Sequence, residues 1–223
     1  MFDVTQEWKS AFPDSCVGVL VMSDAVNTSG NPELEKQKTE IEEALRAQFD
    51  GQDRAMISSI PVLQAYNTYY KQFKKSYHVQ LQLESIVWKG KSIPSVSALV
   101  QAMFMAEVKN LLLTAGHDLD TLQLPLTLDV SKGTETYQLM RGEEQTLKAG
   151  DMFIRDQAGI ISNIIYGPDK RAQITPNTKN VIFTVYAPAG IDPQAVTDHL
   201  KNIQEYVSIA APQAQVELLD LFG

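Results

Sequence analysis

The chain has one cysteine, Cys16, so it forms no internal disulfide and offers no thiolate-built zinc site. Its three histidines, His78, His117 and His199, stand far apart without ligand spacing, and no metal is expected. No apolar run approaches the ~20 residues that a bilayer span requires. The first residues, MFDVTQEWKSAF, carry acids early and are not expected to act as a signal peptide. Positive charge is also scarce: 19 Lys and Arg against 27 Asp and Glu give a net charge of −8. That argues against a general nucleic-acid binder, because phosphate contacts need clustered cations, and DNA is not expected as a partner. There is no G-x-S-x-G elbow, no H-E-x-x-H and no phosphate loop; Gly90-Lys91-Ser92 lacks the upstream glycine and strand. These absences leave a soluble chain suited to a reducing cytoplasm, with no cofactor expected.

What is present is ordinary for a globular protein. The 223 residues are 44% hydrophobic and 21% charged, enough to bury a core as a single domain over 1–223. Cys16 to Met22 (CVGVLVM) reads as a buried strand. Glu33 to Phe49 reads as an amphipathic helix, with Leu34, Ile41, Leu45 and Phe49 facing the sheet and Asn31 placed to cap it. Ser58 to Leu63 (SSIPVL) is expected to be extended or turned, and Gln64 to Lys75 helical. Tyr66, Tyr70 and Phe73 share one face there; packing explains that spacing, and stacking on single-stranded bases is the alternative.

The central stretch runs from Leu83 to Asp120. A helix ends at Gly90, where glycine takes the left-handed cap without steric cost. Ile93-Pro94 turns the chain. A second helix from Ser97 to Leu113 is apolar almost all round and is expected to be buried; only Gln101, Glu107, Lys109 and Asn110 break it. Gly116-His117-Asp118 follows. Beyond Asp120 come short strands: Leu124–Val130, Glu135–Met140, Met152–Arg155, Ile160–Tyr166 and Val181–Tyr186. Pro193 to Ala210 is a C-terminal helix with Asp192 as its cap, and Val216 to Phe222 a last edge segment. The architecture is α+β, with helices packed on a largely antiparallel sheet.

Helix, K-G-K-S-x-P turn, buried helix and G-H-D-L-D, in that order, resemble the B3/B4 domain of the phenylalanyl-tRNA synthetase beta subunit, and especially its free-standing relatives. Gly142-Glu143, Gly150-Asp151, Gly167-Pro168-Asp169-x-Arg171 and Thr178-x-Asn180-Val181 extend the resemblance, which covers roughly residues 66 to 188. It implies a B3/B4-like fold and an aminoacyl-tRNA partner. It also implies hydrolysis of a mischarged ester, since in the synthetase this domain clears wrongly attached tyrosine. The alternative is a non-catalytic module for an amino acid or other small ligand.

The resemblance also nominates residues. His117 matches a histidine that lines the editing pocket of bacterial synthetases; otherwise it caps the preceding helix. Asp169 replaces a glutamate that reads the tyrosine hydroxyl, and Pro168 replaces a glycine; an ordinary turn is the alternative. Arg171 is expected beside Asp169 at the substrate, and Asn163 and Thr178 beside the same cleft. Glu84 recurs in the family pattern and is expected either to pair inward with Lys91 or Arg171 or to lie on the helix surface. Val100-Gln101 and Phe104 stand where the synthetases have valine-aspartate and asparagine, which implies a pocket that is more apolar or differently shaped, and a changed ligand. Lys89 and Lys91 are expected to meet RNA phosphates, or to be solvated.

Overall fold

The CVGVLVM run forms the strand that its β-branched residues predict, and a sheet assembles on both of its edges. The structure is a computed structural model that describes residues Met1–Gly223. The chain opens with β1 (Phe2–Val4), α1 (Gln6–Ala11), β2 (Cys16–Ser23) and α2 (Pro32–Gln48). Next come α3 (Arg54–Ser58), α4 (Pro61–Gln72), α5 (His78–Lys89) and α6 (Ala98–Asn110). Strands β3 (Thr114–Asp118), β4 (Leu126–Val130), β5 (Thr136–Gln138) and β6 (Glu144–Thr146) follow. The chain closes with β7 (Met152–Arg155), β8 (Ile160–Asn163), β9 (Gly167–Pro168), β10 (Val181–Ala187), α7 (Pro193–Ala210) and β11 (Gln215–Phe222).

One sheet has the order β11-β2-β10-β3 and another the order β1-β4-β7-β8-β9; β5 and β6 form a separate hairpin. All pairings are antiparallel except β1 with β4. The fold is therefore α+β, as expected. No helix is long and apolar enough to cross a membrane.

The helices form where local chemistry favours them. The Asn31 side chain accepts the Leu34 N–H at 2.9 Å, and Pro32 sits in the first turn of α2, where a missing N–H costs nothing. Asp192 caps α7 in the same way. Two expectations change. First, α2 packs on α5, α6 and α7 rather than on the sheet. Second, the segment expected to be extended belongs mostly to α3 and to the start of α4, because Pro61 again suits a first helical position. Tyr66, Tyr70 and Phe73 are buried in the core, as packing required.

The exit of α6 sets up the rest. The helix stops at Asn110, three residues before the expected Leu113, because Leu111 turns left-handed with φ 61°. The Tyr77 hydroxyl donates to the Leu111 carbonyl at 3.0 Å, and the Tyr66 hydroxyl accepts the Leu113 N–H at 3.0 Å. Two buried tyrosines thus satisfy the loose backbone that a helix end leaves. The chain then enters β3, which pairs with β10.

Candidate functional site

A cavity of about 480 Å³ opens between α5, α6, β3 and the β8–β9 turn. That size falls within the range of small-ligand sites, ~300–1,000 Å³. Its apolar side comes from Val100, Met103 and Phe104 of α6 and from Leu113 and Ile174. The wall at β3 is Gly116. A Cβ there would stand 2.8 Å from the Ile174 methyl and 3.2 Å from the Met103 sulfur, so a larger residue would close this wall. Polar groups are few: Gln82 and His78 of α5, Glu107 of α6, Thr114, Asn163, Gln173 and Tyr186.

Glu107 lies one turn before the end of α6 and is 2% exposed. Its Oε1 accepts the Thr114 N–H at 3.1 Å. Burial pushes its carboxyl up to about 8 against that single bond, so the acid is largely protonated at pH 7. It is the only carboxylate on the wall, and no lysine or arginine lines the cavity. Asn163, by contrast, is fully engaged. Its amide nitrogen bonds Asp151, and its carbonyl accepts the Tyr166 N–H at 2.7 Å. Asp151 in turn accepts the Tyr69 hydroxyl at 2.7 Å, and burial pushes its carboxyl up to about 7. This network fixes Asn163 at the cavity edge.

The structure brings Phe104 and Asn163 together on the cavity wall, with the glycine and proline of Gly167-Pro168-Asp169 beside them. The other nominated residues lie elsewhere. His117 is not at a helix exit and caps nothing. It sits in β3 opposite Ile182, fully buried, and neither ring nitrogen has a hydrogen-bond partner. The alternation of β3 and β10 puts it on the face of Ala115, Thr184 and Tyr186, where the Tyr186 hydroxyl reaches Ser162 of β8. Burial lowers its pKa to about 3, helped by the nearby Arg171 charge, and the ring stays neutral. Asp169 is buried in its turn, where Oδ1 accepts the Ala172 N–H at 2.8 Å; burial raises its pKa. Arg171 stands 3.5 Å from Asp169 and closes mainly on Asp156. Thr178 donates to Asp118 at 2.6 Å and accepts the Thr175 N–H. Neither Thr178 nor Arg171 lines the cavity. Glu84 pairs with neither Lys91 nor Arg171; its partners are Gln80 at 2.9 Å and Arg54 at 3.1 Å.

Lys91 lines a second hollow of about 400 Å³, which shares His78, Gln82 and Phe104 with the main cavity. The two adjoin along α5; both are largely apolar, and Lys91 stands on the second. Lys89 is exposed at the end of α5, outside both hollows. Sequence reasoning missed Glu107, His78, Gln82 and Tyr186. For Glu107 the signal was present: an acid on a helix that is apolar all round must find a partner or a use.

Taken together, these features define an α+β domain with an apolar cavity, a single buried carboxylate on its wall and an adjoining hollow that carries Lys91. The B3/4 domain family model matches residues 63–209, well over half of the chain, and the chain belongs to that family. Among solved structures, an N-terminal fragment of the phenylalanyl-tRNA synthetase beta subunit from Pyrococcus horikoshii aligns over 100% of this chain and 54% of that chain. The identity is 11% and the TM-score 0.49. The chain thus spans about half the length of that fragment. No curated protein matches the chain.

Proposed function

We propose that the cleft receives the aminoacyl end of an aminoacyl-tRNA and that the protein releases the amino acid by ester hydrolysis. The observation that carries this reading is the cleft itself. A cavity of about 480 Å³ suits an amino-acid side chain, and the adjoining groove offers Lys91 to a phosphate. Water would attack the ester carbonyl, the bond to the ribose oxygen would break, and that oxygen would take the proton. The ester is reactive already, so holding water beside the carbonyl contributes most of what is needed. His78 and Gln82, shared by both hollows, stand where such water would enter.

A second reading is a non-catalytic pocket for a free amino acid. It is favoured by the position of His117 and Asp169, neither of which reaches the wall. The test is deacylation of a panel of correctly and wrongly charged tRNAs, repeated with Gln82→Trp to narrow the cleft. Release of one amino acid, lost in that variant, is the expected result. No release from any member, with no salt-sensitive tRNA binding, would overturn the hydrolase reading.

A further inference from the structure

We infer that Glu107 is the cavity's receptor for a ligand ammonium, so that the site selects occupants with a free amino group over N-acylated ones. This rests on the reading of the cavity as an amino-acid pocket, and it adds which part of the occupant the protein holds.

Three observations converge on Glu107. First, its two oxygens differ. Oε1 is held by the Thr114 N–H, whereas Oε2 receives no hydrogen bond, and the residue lines the cavity. Second, nothing in the protein rewards a negative charge at this place. Glu107 lies in the last turn of α6, where the helix dipole presents its negative end and favours cations. The one basic residue in that turn, Lys109, is engaged by Tyr206 at 3.1 Å. The cavity holds no lysine or arginine, and its only other titratable groups are His78 and Tyr186. Tyr66, Tyr70 and Tyr77 also stand near Glu107, and they are neutral. Third, the surrounding wall is apolar, so an ion pair formed here would be poorly screened by water.

The ionised form of Glu107 lacks a partner in that setting until a cation arrives. An ammonium brings the missing charge and three N–H donors, one for Oε2 and others for water or carbonyls. An N-acylated amine brings no charge and one donor. A buried polar group left without its partner discriminates strongly, because the cost falls on the wrong ligand alone.

The experiment uses non-hydrolysable 3′-aminoacylamido-adenosines with phenylalanyl, tyrosyl and leucyl side chains, each as free amine and as N-acetyl derivative. Affinities are measured by calorimetry for the intact chain and for Glu107→Gln, which retains an acceptor for the Thr114 N–H. The expected result is a preference for the free amine of ~10-fold or more, collapsing to within ~3-fold in the variant. The variant's fold is checked by its thermal unfolding. Equal binding of the two forms by the native chain would overturn the inference and leave the pocket reading standing. So would a preference that persists in Glu107→Gln, which would move Glu107 to a role as proton acceptor if hydrolysis is lost. Binding of no probe at all would overturn the pocket reading, and this inference with it.

Discussion

Arg171 closes both terminal nitrogens on Asp156, at 2.8 and 3.0 Å, and the pair locks the turn between β7 and β8 to the segment after β9. Asp156 is almost fully buried and does more than pair. Its carboxylate also accepts the N–H groups of Gln123, Ala158 and Gly159. Arg171 reaches the Thr121 carbonyl at 3.3 Å as well. An arginine so committed to the scaffold is not free to meet a substrate, although its position in Gly167-Pro168-Asp169-x-Arg171 nominated it for that.

Asp156→Ala should therefore destabilise the fold by about 3 kcal/mol, the low end for breaking a buried pair, since Arg171 is partly exposed and regains water. Burial alone would raise the Asp156 pKa, but Arg171 and the backbone donors hold it below the usual carboxylate value. The stabilisation is thus present above the ordinary carboxylate range and is lost as pH falls through the lowered value. Urea midpoints at pH 7 and pH 3 check both statements. An equal loss at the two pH values would contradict the sign.

His117→Leu tests whether the buried ring has a chemical role. The substitution keeps roughly the same volume and removes two nitrogens that bond nothing. We expect unchanged or higher stability at pH 7 and unchanged tRNA deacylation. With a folded pKa of about 3, His117 stays neutral while the unfolded chain protonates below about pH 6.5. Native stability therefore falls on acidification between those values. His199, also near 3, falls in the same direction, so the variant should keep a shallower acid slope rather than none. Loss of deacylation in a folded variant would return His117 to the active groups.

Much of this scaffold was legible because its signals are local. The apolar run of β2, the Asn31 and Asp192 caps and the left-handed Gly90 each act within a turn or two of chain. Strand β3 was not legible. Thr114-Ala115-Gly116-His117-Asp118 has no alternation of its own, and it becomes a strand only because the edge of β10 is open to it. The early end of α6 was hidden too, since nothing about leucine announces a left-handed Leu111; buried tyrosine hydroxyls hold that exit. The site was half legible. Phe104 and the glycine turn carried family pattern to the cavity wall, whereas Arg171 and Thr178 were claimed by partners distant in sequence.

Glu42→Ala separates geometry from charge at the hollow that carries Lys91. From α2, Glu42 Oε1 accepts the Ser92 hydroxyl at 2.6 Å and the Ile93 N–H at 2.7 Å, while Oε2 accepts from Arg46 at 3.1 Å. Glu42 therefore pins the turn that carries Lys91. Removing it should cost about 2 kcal/mol through the orphaned Ile93 N–H and the lost pair. By charge alone, losing an acid should strengthen RNA binding. We expect it instead to weaken several-fold, because the turn loosens. Lys91→Ala should weaken binding and lower the salt slope by about 1. Filter binding across a salt series measures both, and tighter binding by Glu42→Ala would sink the clamp reading.

Glu107→Gln, measured without ligand, should make the protein more stable as pH rises. The native carboxyl keeps its proton up to about pH 8, whereas an unfolded glutamate loses it near pH 4.5. Between those values the native state binds more protons than the unfolded chain, so native stability declines with rising pH. The neutral amide escapes that decline. The two proteins should match below about pH 4.5, diverge above it, and reach a constant gap of a few kcal/mol past about pH 8. Asp151, raised to about 7, imposes a similar decline on both proteins and cancels from the difference. Thermal or urea unfolding from pH 4 to pH 9 gives the difference directly. Parallel curves would mean that Glu107 is already ionised and held by a partner in the free protein, and no neutral acid would be left for an ammonium to ionise.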